Sequence, residues 1–190
     1  MERREFATAE QFLRKALAIN EKLGNKESVA KNWHLLGIIS QEKGDLDAAE
    51  QRYHKSLSIS ERLGAGAQYY AALTYNQLGI VTQGKGDLNS AEQWYRKALA
   101  IFESLRDEYT VARTYGELGI VAALQKQYLA SCEWLIKSIL VLRRDLDSHR
   151  ADQNLRNLII TYSMAPLEDR VRMEAMWKEA GLGEFPSQGE

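Results

Sequence analysis

Apolar residues recur at helical spacing along most of the chain, and the recurrences themselves repeat. In residues 5–23, Ala9, Leu13, Ala16 and Leu17 fall at i, i+4, i+7 and i+8, one stripe of an amphipathic helix. Gly24-Asn25 supplies its stop, since glycine takes the left-handed conformation of a helix end without a Cβ clash. The pattern over residues 30–63 then returns twice. Trp33, Leu36 and Gly37 reappear as Tyr75, Leu78 and Gly79, and again as Tyr115, Leu118 and Gly119, in steps of 42 and 40 residues. Ala49, Tyr53, Ser56 and Leu57 become Ala91, Tyr95, Ala98 and Leu99, then Ser131, Leu135, Ser138 and Ile139. Self-similarity at such a period predicts a stacked repeat array.

Each unit predicts two helices, A and B. The A helices cover 27–43, 68–85 and 108–125; the B helices cover 46–63, 88–105 and 129–146. Gly44-Asp45 and Gly86-Asp87 are the turns between them, with Asp45 placed to cap the next helix, and the third turn degenerates to Lys126-Gln127-Tyr128. Loops this short make the paired helices antiparallel neighbours. The connection at 64–70 is two residues longer than its counterparts, which accounts for the 42-residue step.

The first helix aligns with a B helix, Leu17 on Leu57 and Gly24 on Gly64, so the chain opens in mid-repeat: a capping helix, or a segment cut from something longer. Residues 149–163 predict a fourth A helix. Pro166 suits the first turn of a last one over 167–180. The expected organisation is one array over 1–180. It comprises a half-repeat or N-terminal cap at 5–24, repeats at 27–64, 68–106 and 108–146, and a degenerate C-terminal capping repeat at 149–180. Residues 181–190 are expected to form a disordered tail.

An aromatic followed by Leu-Gly on helix A, with Ala, aromatic and Ala on helix B, resembles the tetratricopeptide repeat. Trp33-Leu36-Gly37 with Ala49-Tyr53-Ser56 carries the resemblance, as do Tyr75-Leu78-Gly79 with Ala91-Tyr95-Ala98 and Tyr115-Leu118-Gly119 with Ser131-Leu135-Ser138. The common repeat has 34 residues. The longer period here is most similar to the subclass found in kinesin light chains and in sensor regions of large signalling ATPases. That resemblance implies an all-α fold, a right-handed α-solenoid superhelix of antiparallel helix pairs with about nine helices. It also implies a concave face, lined by A helices, that holds an extended peptide or a partner's helix.

Composition narrows the partner little, but excludes some classes. The 190 residues are 45% apolar, enough for a sizeable core. With 25 basic and 26 acidic residues the net charge is −1, which argues against nucleic acid or an anionic membrane as the general ligand. Cys132 is the only cysteine, so no intrachain disulfide forms, and the first residues are charged and helical without an apolar signal core. No apolar run approaches the roughly 18 residues that span a bilayer. A cytoplasmic protein is the resulting expectation.

Carried over by position, the family's groove residues are Lys31, His34, Ile38 and Gln41 in the first unit, Leu73, Asn76, Ile80 and Gln83 in the second, and Arg113, Gly116, Ile120 and Ala123 in the third, with Glu117 at the border. The carboxylate clamp of chaperone-binding members is largely missing, because His34 and Ile38 stand where Lys and Asn would, and Ile80 stands for a second Asn. Arg113 alone matches. The row Ile38, Ile80, Ile120 with a polar border suits an amphipathic segment, unless the three isoleucines are core contacts. Phe12, Trp94 and Trp134 share one B-helix position; they are either an exposed binding ridge or rings packed on the following A helix.

Catalytic readings are weak. Glu50 and His54 share a helix face without a third metal ligand. Cys132 aligns with Glu50 and Glu92, so it reads as exposed, but no base partner is visible. No phosphate-binding glycine loop or nucleophile elbow occurs. Neither a cofactor nor a metal is expected. The charged clusters Glu2-Arg3-Arg4-Glu5 and Arg143-Arg144-Asp145 read as solvated helix ends. The function expected is a non-catalytic scaffold for a protein or peptide. The alternative is a sensor or self-association segment of a larger regulator, using an N-terminal edge where Phe6 and Phe12 await a helix.

Overall fold

The computed structural model describes residues 2–144 and 147–186. Asp145, the side chains of Glu2, Arg3 and Arg4, and the last four residues of the expected tail lie outside what it describes. Among the described residues are nine α-helices. They are α1 (Glu2–Lys22), α2 (Lys26–Glu42), α3 (Leu46–Leu63), α4 (Gln68–Gly84), α5 (Leu88–Ser104), α6 (Glu108–Leu124), α7 (Tyr128–Leu142), α8 (Ser148–Met164) and α9 (Leu167–Glu179). The two extra residues of the longer connection are taken up by a 3-10 turn over Gly64–Ala67.

Short acidic or amide side chains start most of these helices. Asn25 accepts from Ser28 N, Asp45 from Ala48 N, Asp87 from Ser90 N, Asp107 from Thr110 N and Asp147 from Arg150 N, all at 2.9–3.1 Å. Each satisfies one of the N–H groups that a helix start leaves without a partner. The A-to-B turns need a left-handed residue, supplied by Gly44 (φ 78°) and Gly86 (φ 83°). The third turn, degenerate in sequence, keeps the same backbone: Lys126 takes φ 61° in the glycine's place. Gln127, standing where Asp45 and Asp87 do, makes no capping bond. The B helix α7 ends at Leu142, short of the expected 146, and Asp147 then caps α8.

The chain divides into two compact units, Met1–Ile101 and Phe102–Glu190, with the division inside α5. In the first, α2 packs on α3, α3 on α4 and α1 on α2. Close approach of A to B rests on a glycine beneath a ring. A Cβ at Gly37 would stand 2.5 Å from Tyr53 Cε1, and one at Gly79 would stand 2.6 Å from Tyr95 Cε1. Both rings are fully buried, as are Ala49, Ala72, Leu78 and Ala91. The phenols need a partner inside the core. Tyr53 donates to Gln41 Oε1 (2.9 Å) and Tyr95 to Gln83 Oε1 (3.0 Å).

Helix α1 is held differently. It buries Leu17 and half-buries Leu13 against Val29 and Leu36, and an ion cluster does the rest. Glu10 takes Arg14 (2.9 Å) and Arg52 (2.7 Å) on one oxygen and Lys43 (3.1 Å) on the other. Arg14 above all, with Arg52 and Lys43, outweighs the opposing effect of burial and holds the Glu10 carboxyl at about 2. Arg52 also donates to Leu36 O, tying α1, α2 and α3 together at one guanidinium.

In the second unit, α6 packs on α7, and α7 carries α8 and α9. Gly119 lies against Leu135, whose Cγ would be 2.6 Å from an added Cβ. Asn154 Nδ2 donates to Ser138 Oγ (2.8 Å), which donates to Ala112 O (2.6 Å), linking α8, α7 and α6 through fully or nearly buried polar atoms. Unlike the expected disordered tail from 181, residues just after α9 fold back. Leu182 and Phe185 pack on the cluster around Cys132, Met173 and Trp177, and Trp177 Nε1 donates to Glu184 O (3.0 Å).

Candidate functional site

The A-helix side chains expected to face a ligand fall into three groups: tied down, half-buried and apolar, and polar with an atom that lacks a partner.

The first group removes several residues from the expected groove. His34 is buried, not presented. Its Nδ1 lies 3.0 Å from Thr74 Oγ1, and the Thr74 hydroxyl proton is already given to Tyr70 O (2.8 Å). Thr74 therefore accepts, which makes His34 the Nδ1–H tautomer. Burial pulls the His34 imidazole down to about 4. The signal in sequence was the residue before Trp33, Tyr75, Tyr115 and the aligned Leu155: Asn32, Thr74, Thr114 and Asn154 are all polar and all buried. In the first unit, Thr74 and His34 make a buried polar seam. Lys31 pairs with Glu27 (2.8 Å) and sits 4.3 Å over the Tyr70 ring. Gln41 and Gln83 are the acceptors for Tyr53 and Tyr95 described above, so their carbonyl oxygens face inward.

The second group is the isoleucine row. Ile38 on α2, Ile80 on α4 and Ile120 on α6 are each half-buried, intermediate between core and ligand surface. Ile160 on α8 stands one period after Ile120 and extends the row, which sequence reasoning missed; it is 56% exposed. Leu124 and Met164, a period apart in turn, are similarly exposed.

Polar atoms without a partner complete the picture. On α4, Asn76 Oδ1 and Gln77 Oε1 are buried and make no hydrogen bond within the chain. In the second unit the same holds for Arg113 Nε on α6 and Arg150 Nε on α8, the latter reaching Asp147 Oδ2 only at 3.5 Å. Between these arginines, Glu117 is raised by burial, with Arg150 and then Arg113 pulling it back.

Of the three B-helix aromatics Phe12 is exposed, and the two indoles stack on tyrosines of the A helix of their own repeat. Trp94 stacks on Tyr75 of its own repeat (5.7 Å, 21°), and Trp134 on Tyr115 (5.5 Å, 26°). Lysines cover the indoles: Lys55 lies 4.2 Å over Trp33, Lys97 4.5 Å over Trp94 and Lys137 4.7 Å over Trp134. Cys132 is fully buried under α9 instead of exposed, its thiol pushed up to about 12 by burial first and by Glu133 second. His54 lies 4.0 Å from Glu50, and among the described residues no third ligand joins them. No helix among the described residues is long and apolar enough to cross a membrane.

Residues 28–104 match the family described as tetratricopeptide repeat, the span that holds the first two aromatic-Leu-Gly units. No curated protein sequence matches the chain. Solved structures share the fold. BtubC (BKLC) from P. vanneervenii is 22% identical with a TM-score of 0.78, over 98% of this chain and 78% of that one. A putative kinesin light chain from Podosopora anserina, with nearly identical TPR-like repeats, is 16% identical at a TM-score of 0.70, over 95% and 88%. A STAND-type signal transduction ATPase from Pyrococcus horikoshii, with a tetratricopeptide repeat sensor, is 18% identical at 0.76; the alignment covers 96% of this chain and 28% of that protein.

Proposed function

From residues 28–104, which carry tetratricopeptide repeats of the long kind, we propose that the chain is a non-catalytic interaction scaffold. It holds a peptide or amphipathic helix of a partner protein along its A-helix faces. The observation that supports this most is the coincidence of an apolar row with unspent hydrogen-bonding groups. Ile38, Ile80 and Ile120 stay half-buried, and Asn76 Oδ1 and Arg113 Nε, on those same helices, lack partners. Apolar contact plus backbone-directed polar groups is what a bound segment requires. The proposed contacts in the first unit are Ile38, Asn76 and Ile80, with Lys31, Gln41 and Gln83 at their border; those in the second are Arg113, Glu117 and Ile120. His34 supports the first set from inside.

Pull-down from native lysate with wild type and Asn76→Ala/Arg113→Glu tests this, because neither change touches the His34–Thr74 seam. Proteins lost only with the variant are the expected result. Identical recoveries would sink the groove reading.

A second reading, a sensor or self-association segment of a larger regulator, has its own support. Phe12 aligns with Trp94 and Trp134, which stack on A-helix tyrosines, yet Phe12 is 66% exposed. Ile19 and Leu23 continue its stripe at 58% and 74%. A second copy of the chain covering this face would make the protein a dimer that Phe12→Glu returns to monomer. Sedimentation equilibrium of both proteins decides it, and a monomeric wild type at high concentration rejects self-association.

A further inference from the structure

The third repeat differs from the first two at one paired position. In repeats one and two, a B-helix tyrosine fills the space against the A-helix glycine and bonds a glutamine one turn on: Tyr53 with Gln41, Tyr95 with Gln83. One period later the tyrosine is Leu135 and the glutamine is Ala123, while the glycine, Gly119, remains. Both replacements are smaller. They leave an apolar hollow of about 150 Å³ lined by Ala123, Leu135, Ile120, Asn157, Ile160 and Met164, with Leu124 at its rim. A hollow of that size and lining takes a benzene-sized group. Its rim is unusually apolar for solvent: Leu124, Ile160 and Met164 are each more than half exposed.

Polar groups lie at a fixed distance from it. Arg113 precedes Ile120 by seven residues on α6, and Arg150 precedes Asn157 by seven on α8. Along each helix axis about two turns, roughly 10 Å, separate the backbone positions of Arg113 from Ile120 and of Arg150 from Asn157. Each arginine has an Nε with no hydrogen bond. Neighbouring acids engage them only loosely: Arg150 Nε reaches Asp147 Oδ2 at 3.5 Å, an oxygen that also accepts from Tyr109 OH (3.1 Å), and Glu117 is pulled down by both arginines against the opposing effect of burial. The larger depression near the C-terminus is a poorer candidate, because its charged groups are spent internally. Arg170 donates to Ala165 O and Ser163 O, and Tyr162 donates to Glu174.

We infer that the hollow beside Leu135 is the anchor subsite of the scaffold. It takes one bulky apolar side chain from an amphipathic helix of a protein partner, which places a carboxylate two turns away at Arg113 and Arg150. This rests on the scaffold reading above and narrows it to one end of the A-helix surface. A single buried anchor with polar flanks is the form that binding hot spots take.

The test rebuilds in repeat three what repeats one and two already have. Ala123→Gln/Leu135→Tyr restores the tyrosine–glutamine pair over the retained Gly119 and fills the hollow from within. The probe is toluene, read by methyl NMR at Leu124, Ile160 and Met164. The expected result is saturable shifts in the wild type and at least about tenfold weaker binding in the variant, with the fold unchanged by circular dichroism. No shifts in the wild type, or equal shifts in both, overturn the subsite and leave the groove reading to its own pull-down. Should the double variant not fold, Ala123→Leu fills the same space with one change, and the same comparison applies. Once a partner is captured, its retention by a folded, filled variant would place it elsewhere on the chain and also overturn the subsite.

Discussion

Replacing Trp177 by alanine should lower stability by about 3–5 kcal/mol and, in the same step, make Cys132 reactive. Trp177 is 2% exposed. Its ring meets Phe185 edge-on (5.7 Å) and shares a cluster with Cys132, Leu135, Ile139 and Met173. Its indole N–H donates to Glu184 O, so the substitution also releases the segment that closes the cluster. Helix α9 is thus a lid on α7, and Trp177 is its main fastening. Beneath it the thiol of Cys132, pushed up to about 12, is both inaccessible and protonated at neutral pH. Urea denaturation gives the stability loss, and labelling by an aromatic disulfide gives the accessibility. An unshifted midpoint with Cys132 as slow to label as in the wild type would reject this account. Trp177→Phe separates the two contributions, since it retains most of the apolar area and loses only the bond to Glu184.

The second large effect is a loss of stability in mild acid that depends on His34. Burial holds its imidazole at about 4 in the folded chain, against an ordinary value of 6.5. The unfolded chain therefore takes up a proton below 6.5 that the folded chain refuses until about 4. The stabilisation is complete above pH 6.5 and is lost as pH falls from 6.5 to 4, by about 3 kcal/mol over the whole window. Glu10 adds a separate loss lower down, because its carboxyl is depressed from 4.5 to about 2 and its ion cluster fails only as pH falls through that range. Glu117 acts in the opposite sense, since burial raises it and protonation relieves the folded chain. His34→Gln keeps a donor for Thr74 and removes the titration. Urea midpoints at pH 7 and pH 4.5 should converge in the variant and diverge in the wild type. Equal slopes would show that His34 is not the group responsible.

Most of the architecture could be read from residues whose role is set by volume. Gly37, Gly79 and Gly119 at a fixed step from Trp33, Tyr75 and Tyr115 allow only one way for two helices to meet, and eight of the nine helix ranges fall within a few residues of the periodicity. Burial of polar side chains was not legible. His34 looks like a groove residue by position, but a threonine forty residues later draws it inward. Nor could the sequence reveal that α9 covers Cys132, since nothing in the spacing of Met173 and Trp177 says which helix they meet. The tyrosine-to-leucine and glutamine-to-alanine exchanges in repeat three were visible as letters. Only the paired bonds of Tyr53 and Tyr95 show that they remove one structural unit, and that a hollow is the result.

The lysine-covered indoles have an optical consequence. The chain's four tryptophans are distributed as Trp33, Trp94, Trp134 and Trp177, one for each successive helix pair. They occupy three electrostatic settings: Trp33 beneath a lysine, Trp94 and Trp134 each stacked on a tyrosine beneath a lysine, and Trp177 sealed in the C-terminal cluster. Ammonium groups above a ring shift its emission, and a stacked phenol feeds it excitation energy. Variants that keep one tryptophan and convert the others to phenylalanine therefore give each helix pair its own fluorescence signal. A repeat array stabilised mainly by nearest-neighbour contacts melts in an order set by those contacts, and in this chain that order can be read from emission spectra without attaching a dye.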